Sequence, residues 1–415
     1  MRYIGILIFS LFFLSLTGQD VDTNSVEYKK LLDMKSSRPV FGISYEIGAA
    51  NDKISYKSLR DFNNKDFLND EFKEGIMAEL GDGLRFGYWQ SINLSWDKPD
   101  YWVLGKYISG RKISIENKFI TSALASEDAV GLGLFGNRRY LDEVADISNS
   151  QYESWWYTSL KYEKRFKIDS SYFSANFNLV IGHDFEQYKI YTGKIYTPEN
   201  AEYIDAELDY EINNFKDENS IPLRGLGIST GLSFKRDLSS KYWIEAEIND
   251  FGLMYWSNLD QVAVDSTFRF KGLTFDNIFE INDSINKSQR DQLSDGFYKE
   301  ENARILSLMP FQLKLQLAYK FEQSHLKQIY LSSDYLYLPS YSIRYEIGSK
   351  WKFREKDQLD IGLRYGGFNT WVLPFNYGLQ IRKLRISLGS NNLLAFGLAS
   401  YTTGASAFIG LHYTL

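Results

Sequence analysis

Between residues 343 and 353 (IRYEIGSKWKF), Ile343, Tyr345, Ile347, Trp351 and Phe353 alternate with Arg344, Glu346, Lys350 and Lys352. Neighbouring side chains of a strand point to opposite faces, so the segment is a ribbon with one apolar and one charged surface. The same alternation returns at Phe173–Ile181, Tyr242–Ile248, Leu313–Phe321, Leu359–Tyr365 and Phe375–Ile381. A chain that repeats it this often has two ways to hide the apolar faces: in a soluble β core, or against lipid as a closed barrel.

The connections arbitrate. Short turns at 81–83, 167–171, 235–241, 322–327, 353–358 and 382–384 alternate with longer links such as 187–224 and 272–308. Tight turns at one end and long loops at the other are the habit of bacterial outer-membrane barrels. The aromatic share of 16%, much of it Tyr, suits a chain that must line two membrane–water boundaries. Mean hydropathy is negative, and after residue 20 no apolar run reaches the length of a membrane helix. A membrane-spanning form of this chain is therefore a closed barrel, since only helices and closed barrels satisfy every backbone group in lipid. Threading gives eleven strands from about residue 151 onward and three before them, near 39–49, 72–80 and 84–96. The total of about fourteen returns both termini to one side, as an all-β transmembrane antiparallel barrel requires.

The chain opens MRYIGILIFSLFFLSLTGQD, read as a secretory signal peptide over residues 1–18, with an uncleaved anchor as the alternative. Residues 19–38 then form a periplasmic N-terminal segment and 39–415 the barrel. No Cys is present, so neither a lipidated Cys nor a disulfide supports the protein outside the cytoplasm. The last strand places Ala407, Ile409, Leu411, Tyr413 and Leu415 on one face and ends with the chain. Such a strand is the expected handle for the barrel-assembly machinery, although an aromatic usually stands where Leu415 does.

Two stretches resist the threading. Residues 97–150 mix strand and helix periods. They read either as a plug folded into the lumen, or as an extra hairpin or short helix capping the outer end. The region around 196–219 is acidic and rich in Tyr, read as a surface for cations or a basic partner, or as a solvated loop. Its carboxylate spacing does not match an EF-hand calcium loop. The lumen-facing charges Lys161, Glu163, Arg165, Glu245, Glu247, Arg344, Lys350 and Lys352 are mixed in sign. That suits a lumen filled by paired side chains, or a general channel, better than a selective ion pore.

Nothing in the sequence marks an enzyme. His183, His325 and His412 have no metal-ligand spacing, and neither a nucleophile elbow nor a Cys nucleophile occurs. No catalytic, cofactor-binding or metal residue is assigned. No phosphate-cradling glycine loop is found, and the net charge of −6 argues against nucleic acid.

Leu134–Asn137 (LFGN) with Gln151–Tyr157 (QYESWWY), and Gly225–Phe234 (GLGISTGLSF) leading through Tyr242–Ser257 to Phe268–Phe275, resemble a family of Bacteroidota outer-membrane barrels known only as a domain of unknown function. The likeness runs from about residue 39 to the C-terminus. That family in turn looks broadly like barrels that move hydrophobic compounds and like secretion-associated shuttle barrels. The resemblance implies a cell-outer-membrane barrel in contact with lipid, and brings no catalytic residue. Two functions stay open: passage of a small hydrophobic or amphipathic solute through a gated lumen, or a scaffold binding surface or secretion-system proteins through long outer loops.

Overall fold

The computed structural model describes residues 38–415, apart from 65–68, 99–100, 104–105, 169, 216–222, 271–296, 323–324 and 355. Residues 1–18, read as a signal peptide, nearly all of 19–38 and most of the 272–308 link lie outside the described residues.

Alternation dominates because every wall strand has one face toward lipid and one toward the lumen. The chain runs through β1 (Val40–Asn51), α1 (Tyr56–Asn64), α2 (Asp70–Leu80), β2 (Leu84–Lys98), a separate hairpin of β3 (Tyr101–Val103) and β4 (Lys106–Ile108), and β5 (Arg111–Ala125). Next come α3 (Glu127–Phe135), β6 (Val144–Asp146), β7 (Gln151–Ile168), β8 (Ser171–Tyr196), β9 (Ile204–Asn214), β10 (Gly225–Asp237) and β11 (Tyr242–Phe270). The remainder is β12 (Phe297–Leu308), β13 (Gln312–Lys320), β14 (Leu326–Leu336), β15 (Arg344–Arg354), β16 (Asp357–Tyr365), β17 (Trp371–Val372), β18 (Phe375–Ile381), β19 (Leu384–Ser390) and β20 (Gly404–Thr414).

These make one closed antiparallel wall of fourteen strands. Three descending strands are interrupted, so that β9 and β10, β12 and β13, and β17 and β18 each serve as one. β9 and β10 both pair with β8 and β11, at different heights. The ring closes where β1 meets β20 over Val40↔Thr414 to Ala50↔Gly404, with the Leu415 amide donating to the Pro39 carbonyl at 2.9 Å. Both ends of the wall therefore lie at one rim, the terminal rim, with the expected short turns except 81–83, which joins α2 to β2 at the opposite rim. The helices and longer links are at the other, the loop rim.

The lipid belt is read directly from exposure. On β15 and the residue before it, Ile343, Tyr345, Ile347 and Phe353 are exposed, and so are Leu313, Leu315 and Leu317 on β13 and Ile409, Leu411 and Tyr413 on β20. Ten residue steps from Ile343 to Phe353 span roughly 33 Å along the strand, or about 25 Å of height at the usual tilt, which matches the apolar band of such barrels. Rings gather at its margin: Phe166 stacks on Phe173 at 5.3 Å, Tyr242 meets Tyr319 at 5.0 Å, and Trp351 stacks on Phe353 at 6.3 Å. No described helix is long and apolar enough to cross a membrane.

The strand expected near 72–80 is a helix, α2. Asn69 caps it by accepting from the Phe72 amide, Asp70 and Glu71 occupy its first turn, and Ile76, Met77 and Leu80 are its buried residues. Its apolar positions follow the 3.6-residue period. Conversely, β5 lies inside the stretch that defied threading, and pairs with β2 and β7 along its length. The two differences cancel, which leaves fourteen. Of that stretch, the β3–β4 hairpin forms a sheet of its own, β6 pairs with the upper end of β8, and 126–143 stands clear of the wall at the loop rim, where α3 packs Val130, Leu134 and Phe135 against the α2 core of Ile76, Met77 and Leu80.

Within the acidic region around 196–219, residues 204–214 form a strand, β9, rather than a loop. β8 has 26 residues and β11 has 29, and both outrun the belt. β9 pairs with the upper parts of both, tied by Arg269 to Asp205 at 2.6 and 2.7 Å and by Lys194 to Glu207 at 3.4 Å. On one side, the wall rises above the membrane as a sheet.

Candidate functional site: a strap across the lumen

Small residues on inward positions leave room for something to cross the barrel, and a connection does so. The chain between β14 and β15, residues 337–343, folds into the lumen. Ser340 donates its amide to Ser122 Oγ at 3.1 Å, its hydroxyl lies 2.6 Å from Ser122 Oγ, and it also donates to the Phe86 carbonyl at 3.0 Å. Phe86 and Ser122 belong to β2 and β5, half-way round the ring from β14 and β15. Ser122 is 0% exposed and Ser340 2% exposed, so the hydroxyl pair is sealed from water. A buried polar group without a partner is costly, and Ser340 satisfies its own by reaching the far wall.

Rings thicken the strap. Tyr341 meets Phe368 edge-on at 4.9 Å, and Phe368 stacks on Trp89 at 6.3 Å. Phe368 comes from the neighbouring link between β16 and β17, which turns inward through Gly366 and Gly367, both at positive φ. It lies over Gly87, where an added Cβ would sit 2.2 Å from the ring. Ser342 ties the two links together through its amide and hydroxyl to the Gly367 carbonyl, at 3.2 and 3.1 Å.

Toward the terminal rim the lumen becomes polar, because the alternation puts charge inside. Arg364 donates to Glu346 twice, at 2.9 and 2.7 Å, and to Asn391 at 3.0 Å. Asn391 and Trp89 both donate to Glu46, at 3.0 and 2.9 Å. Arg344 and Tyr341 both donate to Asp334, at 2.7 and 2.9 Å, and the Tyr330 hydroxyl lies 2.7 Å from Glu346 and 2.9 Å from Asp360. This network anchors the foot of the strap.

Of the charges expected to face the lumen, Lys161 pairs with Asp250 at 3.2 Å, Arg165 with Asp97 and Glu163, Arg344 with Asp334, and Lys350 with Asp360 at 3.8 Å. Glu247 lines the polar cavity, and Lys352 is exposed at the terminal rim. Lys161, Glu163, Arg165, Arg344 and Lys350 are thus paired side chains, whereas no ion pair among the described residues involves Glu245, Glu247 or Lys352. The three histidines sit apart: His183 bonds Thr158 at 2.7 Å, His325 contacts the Lys352 carbonyl, and His412 faces Gly42. Among the described residues no group of His, Asp or Glu could hold a metal ion.

Open space lies on both sides of the strap. On the loop side, a cavity of about 430 Å³ is lined by Trp155, Glu153, Lys189, Ile305, Tyr335, Leu338 and Pro339. On the terminal side, one of about 340 Å³ is lined by Trp89, Lys118, Tyr341, Arg364 and Phe368. A third, of about 460 Å³, adjoins it along Glu46, Arg344 and Arg364. The strap was not legible in the sequence. Residues 337–343 carry no period, and Pro339 followed by Ser340 looks like any turn.

No family model matches the chain, and no curated protein does. The family likeness read from the LFGN and GLGISTGLSF segments therefore rests on those segments alone. Solved structures with similar coordinates include the Ralstonia pickettii toluene transporter TbuX, at 10% identity over 92% of this chain and 90% of that one, TM-score 0.44. The P. putida toluene transporter TodX aligns at 9% identity over 94% and 93%, TM-score 0.43. A Pseudomonas aeruginosa FadL homologue aligns at 8% identity over 91% and 90%, TM-score 0.43. At such identities and scores these similarities say nothing of what this barrel binds.

Proposed function

We propose that this protein is an outer-membrane channel that passes a small hydrophobic or amphipathic solute when the strap moves aside. One observation carries the reading. Leu338 and Pro339 line the cavity on one side of the strap, and Tyr341 lines the cavity on the other, so a few residues are the partition between them. Cavities of this size lie in the range of small-molecule sites, and the loop-side one mixes Trp155, Ile305 and Leu338 with Glu153 and Lys189, a lining suited to an amphipathic guest. A lumen sealed for scaffolding has no use for space on both faces of a thin barrier.

In this reading the terminal rim, with its short turns, faces the periplasm, and the loop rim faces outward. The barrel-assembly machinery takes hold of β20, whose outward face runs Ala407, Ile409, Leu411, Tyr413.

The test replaces residues 338–341 with Gly-Gly and compares single-channel conductance and solute entry into vesicles with the wild type. Steady conductance and faster entry in the variant are expected. A folded variant that stays silent would overturn the proposal and turn attention to protein partners of the β8–β9–β11 sheet.

A further inference from the structure

On one side the wall is too short for the membrane. β19 has seven residues, and their six steps at the usual rise and tilt give roughly 15 Å of height against a belt of about 25 Å. Its pairing with β20 stops at Gly389↔Phe408, while β20 continues to Gly404 along β1. The upper part of this strand position is missing.

Residues 391–403 stand in its place. On one edge the Leu393 amide donates to the Leu373 carbonyl at 2.7 Å, beside β18. On the other, the Asn391 amide donates to Ser406 Oγ at 2.6 Å and the Asn392 side chain to the Gly404 carbonyl at 2.9 Å, on β20. Between these anchors lie two short 3₁₀ turns, Leu393–Phe396 and Ala399–Tyr401. Their polar groups turn inward, with Asn392 and Thr402 buried. Their apolar side chains turn outward: Phe396 is 70% and Tyr401 81% exposed, with Leu393 and Leu398 beside them. The outward residues flanking the gap, Trp371, Leu388 and Ile409, already belong to the lipid belt.

The backbone adds a second, independent observation. Non-β chain at membrane depth must satisfy its own amides. Here the Leu394 amide donates to Asn392 Oδ1, Gly397 and Leu398 donate to the Leu394 carbonyl, and Tyr401 donates to the Leu398 carbonyl, at 2.7 to 3.3 Å. The Thr402 and Thr403 carbonyls are taken up as well, by the Tyr56 and Asn51 amides at 2.6 and 2.8 Å.

We infer that residues 391–403 are a lipid-contacting part of the wall, with Phe396, Leu398 and Tyr401 seated in the leaflet at the loop rim and completing the belt where β19 ends. The occupant of this surface is membrane lipid. The inference stands apart from what the lumen does.

The absence of Cys makes the test direct. Phe396→Cys and Leu398→Cys, each carrying an environment-sensitive NBD fluorophore, are refolded into phosphatidylcholine vesicles with nitroxide quenchers at the headgroup or mid-chain. Ile347→Cys on the mid-belt and Glu199→Cys in the β8–β9 turn serve as references, and heat-modifiable gel mobility confirms folding. Quenching of the 396 and 398 labels by the shallow nitroxide, roughly threefold or more above the Glu199 label, with blue-shifted emission, is expected. Labels that behave like Glu199 would place the segment in water and overturn the inference. So would shielding that disappears when the protein is diluted in excess lipid, because the surface would then belong to a second copy of the chain.

Discussion

The hydroxyls of Ser340 and Ser122 lie 2.6 Å apart, although 218 positions separate them in the chain and the lumen separates β5, which bears Ser122, from the strands that the strap joins. They are the point at which the strap fastens to the far wall. In S122C/S340C, oxidation is expected to lock the strap as a disulfide and reduction to release it, since no other Cys can compete. Vesicle solute entry should be suppressed in the oxidised protein and restored, to wild-type rate or above, by reductant. Equal entry in both states would mean that solute does not pass the strap.

The foot of the strap depends on charge pairing. Arg364→Leu leaves Glu346 without its guanidinium, which is expected to cost about 3 kcal/mol, as for other buried pairs broken on one side. The double variant R364L/E346Q should recover much of that loss. Urea unfolding followed by Trp fluorescence measures both, and a double variant no more stable than R364L would mean the pair is not coupled.

Packing beneath Phe368 leaves no room for a methyl group. Gly87→Ala puts a Cβ against the ring and is expected to destabilise by about 1–3 kcal/mol. Phe368→Ala relieves the clash, so the two substitutions should be strongly non-additive. Simple additivity in the same unfolding assay would place the ring elsewhere.

Belt position can be measured by charge. Ile347→Lys, near mid-height, should cost about 2–4 kcal/mol, and Ile343→Lys at the margin about 0–1 kcal/mol. Equal costs would contradict the assigned membrane boundaries.

At the loop rim, burial pushes the Tyr140 hydroxyl up to about 12. A detached Tyr ionises near 10. Docking of this segment is thus unaffected below about pH 10 and weakens as pH climbs from there toward 12, because the detached state loses its proton first. A fluorophore on Glu127→Cys should report an alkaline release that Tyr140→Phe abolishes.

Fold and site differ in how much of each the sequence discloses. Residues 343–353 declare their strand because each side chain meets either lipid or lumen, and that choice is written locally. Residues 72–80 misled because a helix packed on the rim and a strand in the wall both carry apolar residues at short intervals, and over nine residues the period is told apart chiefly by Asn69 and the Asp70–Glu71 start. β5 hid among Ile113, Ile115 and Ile120, because the first two face outward and Ile120 inward, on the same face as Ser122. The charges were legible as inward, but their partners were not: Arg364 and Glu346 meet across neighbouring strands, and Glu46 reaches Asn391 across the closing seam. The strap is a tertiary event, and no local period records it.

The seam between β1 and β20 bears on how the molecule assembles. Its partners are the first and last strands, so the longest sequence separation in the structure belongs to the contact that shuts the ring. Contacts of that range exact the largest loop-closure entropy and form slowly. Until the eleven residues of β20 arrive, β1 and β19 each present a bare edge. Folding of this chain is therefore expected to end, rather than begin, with its termini, and a chain cut short before β20 leaves an open sheet with two adhesive margins.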